Sequence, residues 1–500
     1  MDAEPRSDLD GLARDLGLLA RRLLERLGDE GDEGAPQVGD LVREHLGDGA
    51  ESMPVVSASF SAWDQANLQI ALDAALAREG WSAETTGLAG QARHYTGMGL
   101  GDMMRMRHFP AGPVEYASAE IGPGRTLACV DFAVLLVMGP DGPLAAFVHR
   151  GDENPFARAS DIRLQVIAPE RTGAEEFIAT LHALIAEHDV FRGQVITVRS
   201  SMEGASVAFV ERPVVEPSEL VLPDGVLARI ERHLAGPSVH RDRLIAMGRH
   251  MSRGLLLWGP PGTGKTLTVR YLTGRLSDAT VIILSGGSLG AVGAFGAMAR
   301  RLAPSLVILE DVDLVAEERT YDGGSEVLFE LMNQMSGMDE DADVAFVLTT
   351  NRPEALEPAL AARPGRVDLA VEIPLPDAAA RARLLEIYGH GLDLRLDDVA
   401  SVVARTEGVT ASFIKELLRK ATLGALDAGR EPVTDADVGA ALDELLSDTA
   451  ALTRMMLGAG GDDAPRPASS WLGRFTEEGR GGWAGYGTGG EEIVGELGPE

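Results

Sequence analysis

The sequence is short of cysteine, of positive charge, of lysine in particular and of long apolar runs, and each shortage excludes something. A single cysteine, Cys129, rules out an intramolecular disulfide and points to a reducing compartment. It lies in an apolar run and reads as a small buried hydrophobe. The most apolar window, residues 126–138, contains Asp131 and is too short to span a bilayer. A turn cluster from Gly139 to Pro143 and a second apolar stretch follow it, the pattern of a hairpin. The N-terminus has neither the basic head nor the apolar core of a secretion signal. These features predict a soluble, cytoplasmic protein with no membrane partner. The formal net charge of −32 argues against broad binding to nucleic acid or to an anionic membrane, both of which need a basic footprint. Lys265, Lys415 and Lys420 are the only lysines, so a lysine inside a motif is hard to obtain by chance.

At 500 residues the chain exceeds one compact core, and hydrophobic content of 45% is ordinary for globular domains. Leu9, Leu12, Leu16, Leu19 and Leu23 form an amphipathic helical seam, and an acidic segment closes residues 1–52. Residues 53–213 read as an α+β domain. A helix is expected over 62–78, strands over 114–121, 126–138, 144–149 and 163–167, a helix over 174–188, then strands over 194–199 and 206–210. Its histidines, His94, His108, His149, His182 and His188, lack metal-ligand spacing. Residues 214–240 read as a linker with a helix at its end, and the Gly- and acid-rich 449–500 as a disordered tail.

Chemistry enters at residue 254. A short apolar strand runs into Gly259, Pro260, Pro261, Gly262, Thr263, Gly264, Lys265 and Thr266, and Leu267 opens a helical pattern. Glycines let backbone N–H groups turn inward around phosphates, and the new helix adds its positive end. Lys265 then reaches the β and γ phosphates, while the Thr266 hydroxyl ligates Mg²⁺. A second strand, at 280–284, separates this loop from a buried-strand run at 306–309 that ends in Glu310, Asp311, Val312 and Asp313. Acids at the carboxyl end of such a strand lie beside the phosphate loop. One suits the metal and the other the attacking water. The next strand, 344–349, ends in Thr350 and Asn351, whose amide suits the γ-phosphate and the water. Arg363 and Arg366 bracket a Pro-Gly turn further on.

These elements, in this order and spacing, closely resemble the AAA family of P-loop ATPases over roughly residues 223–448. Gly259–Thr266 stands as the family's Walker A motif, 306–313 is similar to its Walker B motif, and Asn351 to its first sensor. The resemblance implies an α/β P-loop fold over 241–377, a parallel sheet flanked by helices, and a small helical lid over 378–448. It implies ATP and Mg²⁺ as ligands, ATP hydrolysis, and Arg363 and Arg366 reaching a neighbouring subunit's nucleotide in a closed ring, commonly of six.

The sequence departs from the family pattern at two places. The acids run Glu310 then Asp311 where the usual order is Asp then Glu, an order similar to that of the mitochondrial Rieske-protein-translocating AAA chaperones. By position Glu310 serves the metal and Asp311 the water, and the assignment between them stays open. After the second strand, unfolding motors of the family carry an aromatic gripping loop, whereas 285–296 is Gly/Ala-rich, with Leu289 or Val292 as weak substitutes and Phe295 in the next helix. The expected function is ATP-driven remodelling of an unknown protein client by a homo-oligomer. The alternative is a slow nucleotide-dependent switch or scaffold that recruits a partner through the N-terminal domain.

Overall fold

The computed structural model describes residues 36–89, 99–106, 109–150, 161–201, 204–314, 330–331, 333–335, 341–354, 356 and 367–447. The leucine seam of residues 9–23, the tail beyond 449, and both Arg363 and Arg366 lie outside the described residues.

The first unit comprises α1 (Val38–Leu46), β1 (Val55–Phe60), α2 (Gln65–Leu76), β2 (Ser82–Leu88), α3 (Leu100–Arg105), β3 (Ala111–Gly112), β4 (Glu115–Gly122), β5 (Arg125–Gly139), β6 (Gly142–Arg150), β7 (Ile162–Ile167) and α4 (Arg171–His188). Its strands run β1-β7-β6-β5-β2-β3, with β4 on β5, and all of their pairings are antiparallel. Side chains alternate across β5. Leu135 and Val137 pack with Leu68, Leu72, Phe177 and Leu181 of α2 and α4, while Val134 and Leu136 pack with Val38, Val42, Leu100 and Met103 of α1 and α3. Burial on both faces explains why this strand reads as one continuous apolar run. The hairpin turn sits where expected, with Gly139 opposite Gly142. Among the described residues no helix is long and apolar enough to cross a membrane.

The second unit holds β8 (Val195–Ser201), β9 (Gly204–Val210), α5 (Val226–Val239), α6 (Arg241–Ala246), β10 (Arg253–Trp258), α7 (Lys265–Arg275), β11 (Thr280–Ser285), α8 (Val292–Arg301), β12 (Ser305–Glu310), β13 (Val344–Thr350) and β14 (Leu369–Glu372). Its sheet has the order β14-β10-β13-β12-β11-β8-β9. The strands from β14 to β8 are parallel, and β9 folds back antiparallel on β8. Helices α5 and α7 cover one face through Ile230, Leu234, Val269 and Leu272, and α8 covers the other through Phe295 and Met298.

Two expected boundaries differ here. The sequence pattern places 195–210 in the N-terminal domain, yet these residues form a hairpin on the edge of the parallel sheet. Pairing Val195 with Val281 removes an open strand edge beside β11, which local sequence does not reveal. Likewise the expected linker over 214–240 ends in α5, whose Ile230 and Leu234 are buried core residues.

The lid follows as α9 (Ala378–Gly389), β15 (Leu394–Arg395), α10 (Val399–Arg405), α11 (Ala411–Asp427), β16 (Val433–Thr434) and α12 (Asp435–Leu446). Phe413, Ile414, Leu417 and Leu442 centre its separate core. Thr434 caps α12 in a reciprocal box with Asp437.

Candidate active site

The phosphate loop lies between β10 and α7, and its glycines are sterically required at two places. Gly259 has φ 147°, and a Cβ there would meet the Ile373 carbonyl oxygen at 2.2 Å. Gly262 has φ 77°, and a Cβ would meet Ser412 Oγ at 2.9 Å. Space is open beside Gly264, where an added Cβ meets nothing within 4 Å. The loop braces itself through Thr263, whose hydroxyl donates to the Pro260 carbonyl at 2.9 Å. Pro261 lies within the turn that this brace closes, and Leu267 lies in the first turn of α7.

Lys265 is 6% exposed, and its ammonium donates to the carbonyls of Gly259 at 2.7 Å and Pro260 at 2.8 Å. Burial lowers its pKa to about 8, against the opposing pull of Asp311 and Asp313. Such a partly desolvated ammonium gains strongly from an anion set among the loop's N–H groups. Thr266, next on α7, is exposed, and its hydroxyl suits a cation shared with phosphate oxygens. The residues present therefore fit a nucleotide triphosphate with its magnesium: a glycine cradle, a helix N-terminus, a buried lysine and an adjacent hydroxyl.

The acids stand at the carboxyl end of β12. Glu310 is half-buried, and burial followed by the charge of Asp311 raises its pKa. A divalent cation would reverse that penalty, which suits Glu310 to the metal-facing role. Asp311 is exposed and takes φ 52°, the left-handed region that aspartate tolerates better than most residues. Asn351, just beyond β13, directs its side-chain N–H at Asp311 Oδ1 over 3.4 Å. Glu310, Asp311 and Asn351 thus gather at neighbouring strand ends, at the carboxyl edge where the phosphate loop also begins. Among the described residues no cluster of three or more His, Cys, Asp or Glu side chains could hold a metal by itself. Magnesium commonly relies on one or two protein ligands plus phosphate and water.

Three contributors have contacts that no local sequence pattern announces. Ser412, at the start of α11, donates its backbone N–H to the Gly262 carbonyl at 3.1 Å, so the lid touches the phosphate loop directly. Thr349 and Asp313 tie the strand ends together. Asp313 closes the acidic run, but its bonds go to Thr350 and Asn351 at the end of β13, which the run itself does not announce.

The gripping residues expected after β11 fail structurally. The segment Gly286–Ala291 is a 3-10 turn, with Leu289 2% and Val292 1% exposed. Both pack with Phe191, Ile196 and Val198. Neither is available to hold a client, which corrects the expectation of a weak grip. Phe295 lies in α8, as expected, and is fully buried.

Strand order, phosphate loop and acids at the carboxyl edge define a P-loop α/β nucleotide-binding module. Residues 255–375 match the ATPase family associated with various cellular activities (AAA), so the chain carries an AAA ATPase domain. It is 30% identical over 262 residues to the proteasome-activating nucleotidase of Thermococcus onnurineus, covering 49% of this chain and 65% of that protein. It is 32% identical over 267 residues to the ATP-dependent zinc metalloprotease FtsH 3 of Sphaerobacter thermophilus, covering 50% and 54%. Against the 26S proteasome regulatory subunit 8 of Caenorhabditis elegans the figures are 33% over 239 residues, 45% and 57%. The chain spans little more than half to about two-thirds of the length of these relatives.

Proposed function

We propose that this chain hydrolyses ATP to ADP and phosphate and uses the cycle to remodel a protein client, as one subunit of a homo-oligomeric ring, commonly of six, in the cytoplasm. The observation that carries the reading is the approach of Asn351 to Asp311 at the edge holding the phosphate loop. In this reading Lys265 and the N–H groups from Gly259 to Thr266 hold the β and γ phosphates. Thr266 and Glu310 would hold magnesium, which would supply charge neutralisation at the phosphate oxygens. Asp311 takes a proton from the attacking water, and Asn351 orients that water. Arg363 and Arg366 serve the nucleotide of the adjacent subunit.

The buried turn after β11 argues against threading an extended polypeptide, so the output is assigned to movement of the lid and N-terminal unit on a folded client. The relatives named for proteasome activation and proteolysis support a protein client, and the net charge of −32 disfavours nucleic acid.

The test is Lys265→Ala together with steady-state turnover of the unaltered chain across protein concentrations. Nucleotide binding should vanish in the variant, and turnover per subunit should rise with assembly. Normal ATP affinity in Lys265→Ala would overturn the proposal. Tight ATP binding with negligible turnover would favour a slow switch instead.

A further inference from the structure

The ladder between β12 and β13 pairs residues 305–309 with 344–348 and stops there. Beyond it, side chains continue the connection. The backbone N–H of Asp311 donates to Thr349 Oγ1 at 3.0 Å, and the N–H of Val312 to the Thr349 carbonyl at 3.0 Å. In the other direction Asp313, 6% exposed, accepts at a single oxygen from the Thr350 hydroxyl at 2.9 Å and from the Asn351 backbone N–H at 3.3 Å. The Thr350 hydroxyl in turn accepts from the N–H of Arg352 at 2.9 Å. Each strand end thus supplies the acceptor that fixes the backbone of the other.

The consequence falls on two side chains. Asp311 occupies the left-handed region, where few backbone arrangements are self-supporting, and the Thr349 hydroxyl takes up its N–H. Asn351 leaves β13 in a turn set by Asp313. With both backbones fixed, the Asn351 amide meets Asp311 Oδ1. We propose that Asp313 and Thr349 are positioning residues of the hydrolytic site, aiming the Asp311–Asn351 pair without touching the water themselves. The inference rests on the reading that this pair directs hydrolysis.

The test measures ATP affinity and turnover on the full chain for Asp313→Ala, Asp313→Asn, Thr349→Val and Asn351→Ala, and for the double variant Asp313→Ala/Asn351→Ala. Asp313→Ala and Thr349→Val should each lower kcat by roughly 100-fold while ATP affinity stays within about 3-fold, since misaiming by a fraction of an ångström to an ångström costs this much. Asp313→Asn keeps an acceptor oxygen and should recover most of the turnover. In the Asn351→Ala background, Asp313→Ala should cost less than about 2-fold more, because coupled residues are not additive. Should Asp313→Ala fail to fold, Thr349→Val and Asp313→Asn decide the matter. A crippled Asn351→Ala beside normal kcat in both brace variants would overturn this inference alone, as would full additivity or parallel loss of ATP affinity. No turnover in the unaltered chain would overturn the proposed function and this inference with it.

Discussion

At the start of α12 one carboxylate serves three partners. Asp437 accepts from the Thr434 backbone N–H at 2.9 Å, from its hydroxyl at 2.7 Å, and from the Arg430 guanidinium at 2.6 Å. The Arg430 contact, then those to Thr434, holds its pKa far below the usual carboxylate value. A depressed carboxylate stabilises the fold fully above its unfolded pKa of about 3.9 and loses that contribution as pH falls towards its folded value. Asp437→Asn should therefore cost about 1 kcal/mol at pH 7. The gap between the melting curves of variant and parent should begin to narrow as pH falls below about 4 and keep narrowing towards the folded value. Cys129 shows burial acting the other way: removal from water pushes its thiol up to about 11, which leaves it protonated and unreactive at neutral pH.

Among the elements, the turn Gly286–Ala291 has changed role relative to what its place after β11 suggests. Polar partners hold its start, with Ser288 Oγ accepting from the Ser285 N–H and donating to the Ser285 carbonyl, both at 2.9 Å. Leu289 then enters the core beside residues contributed by β8. Leu289→Ala should behave as a core truncation, costing about 2–4 kcal/mol in denaturant unfolding. A gripping residue would instead show unchanged stability and a loss of client-stimulated turnover. The lid contact is also local: Ser412 ties the start of α11, a helix that carries the lid core, directly to Gly262 of the phosphate loop.

Across the whole molecule, the N-terminal unit is fastened to the ATPase domain rather than tethered to it. Arg301, at the end of α8, donates to Asp64 at 3.0 and 3.2 Å and faces Asp189 at 3.1 Å. Asp189 has no exposed side-chain surface, and burial raises its pKa despite Arg301. Asn67 links both acids, and Trp63 lies 5.1 Å from Phe295 of α8, centroid to centroid. Removing the guanidinium leaves two facing carboxylates with no cation. Arg301→Met should cost about 3 kcal/mol and loosen the two units. Limited proteolysis between residues 188 and 195 should then accelerate, while isolated nucleotide binding is retained.

The phosphate loop, the acids at 310 and 311, Asn351 and the lid helices were legible in the sequence, because each is specified locally. Phosphate binding requires glycines at fixed spacing before a lysine, and amphipathic helices announce themselves by their period. What the tertiary structure decided depends on partners distant in the chain. Whether 195–210 belongs to one domain or the next was settled by the open edge of β11. The burial of Leu289 was settled by side chains from 191–198. The part taken by Asp313 was settled by a strand end 37 residues away, which no local pattern announces.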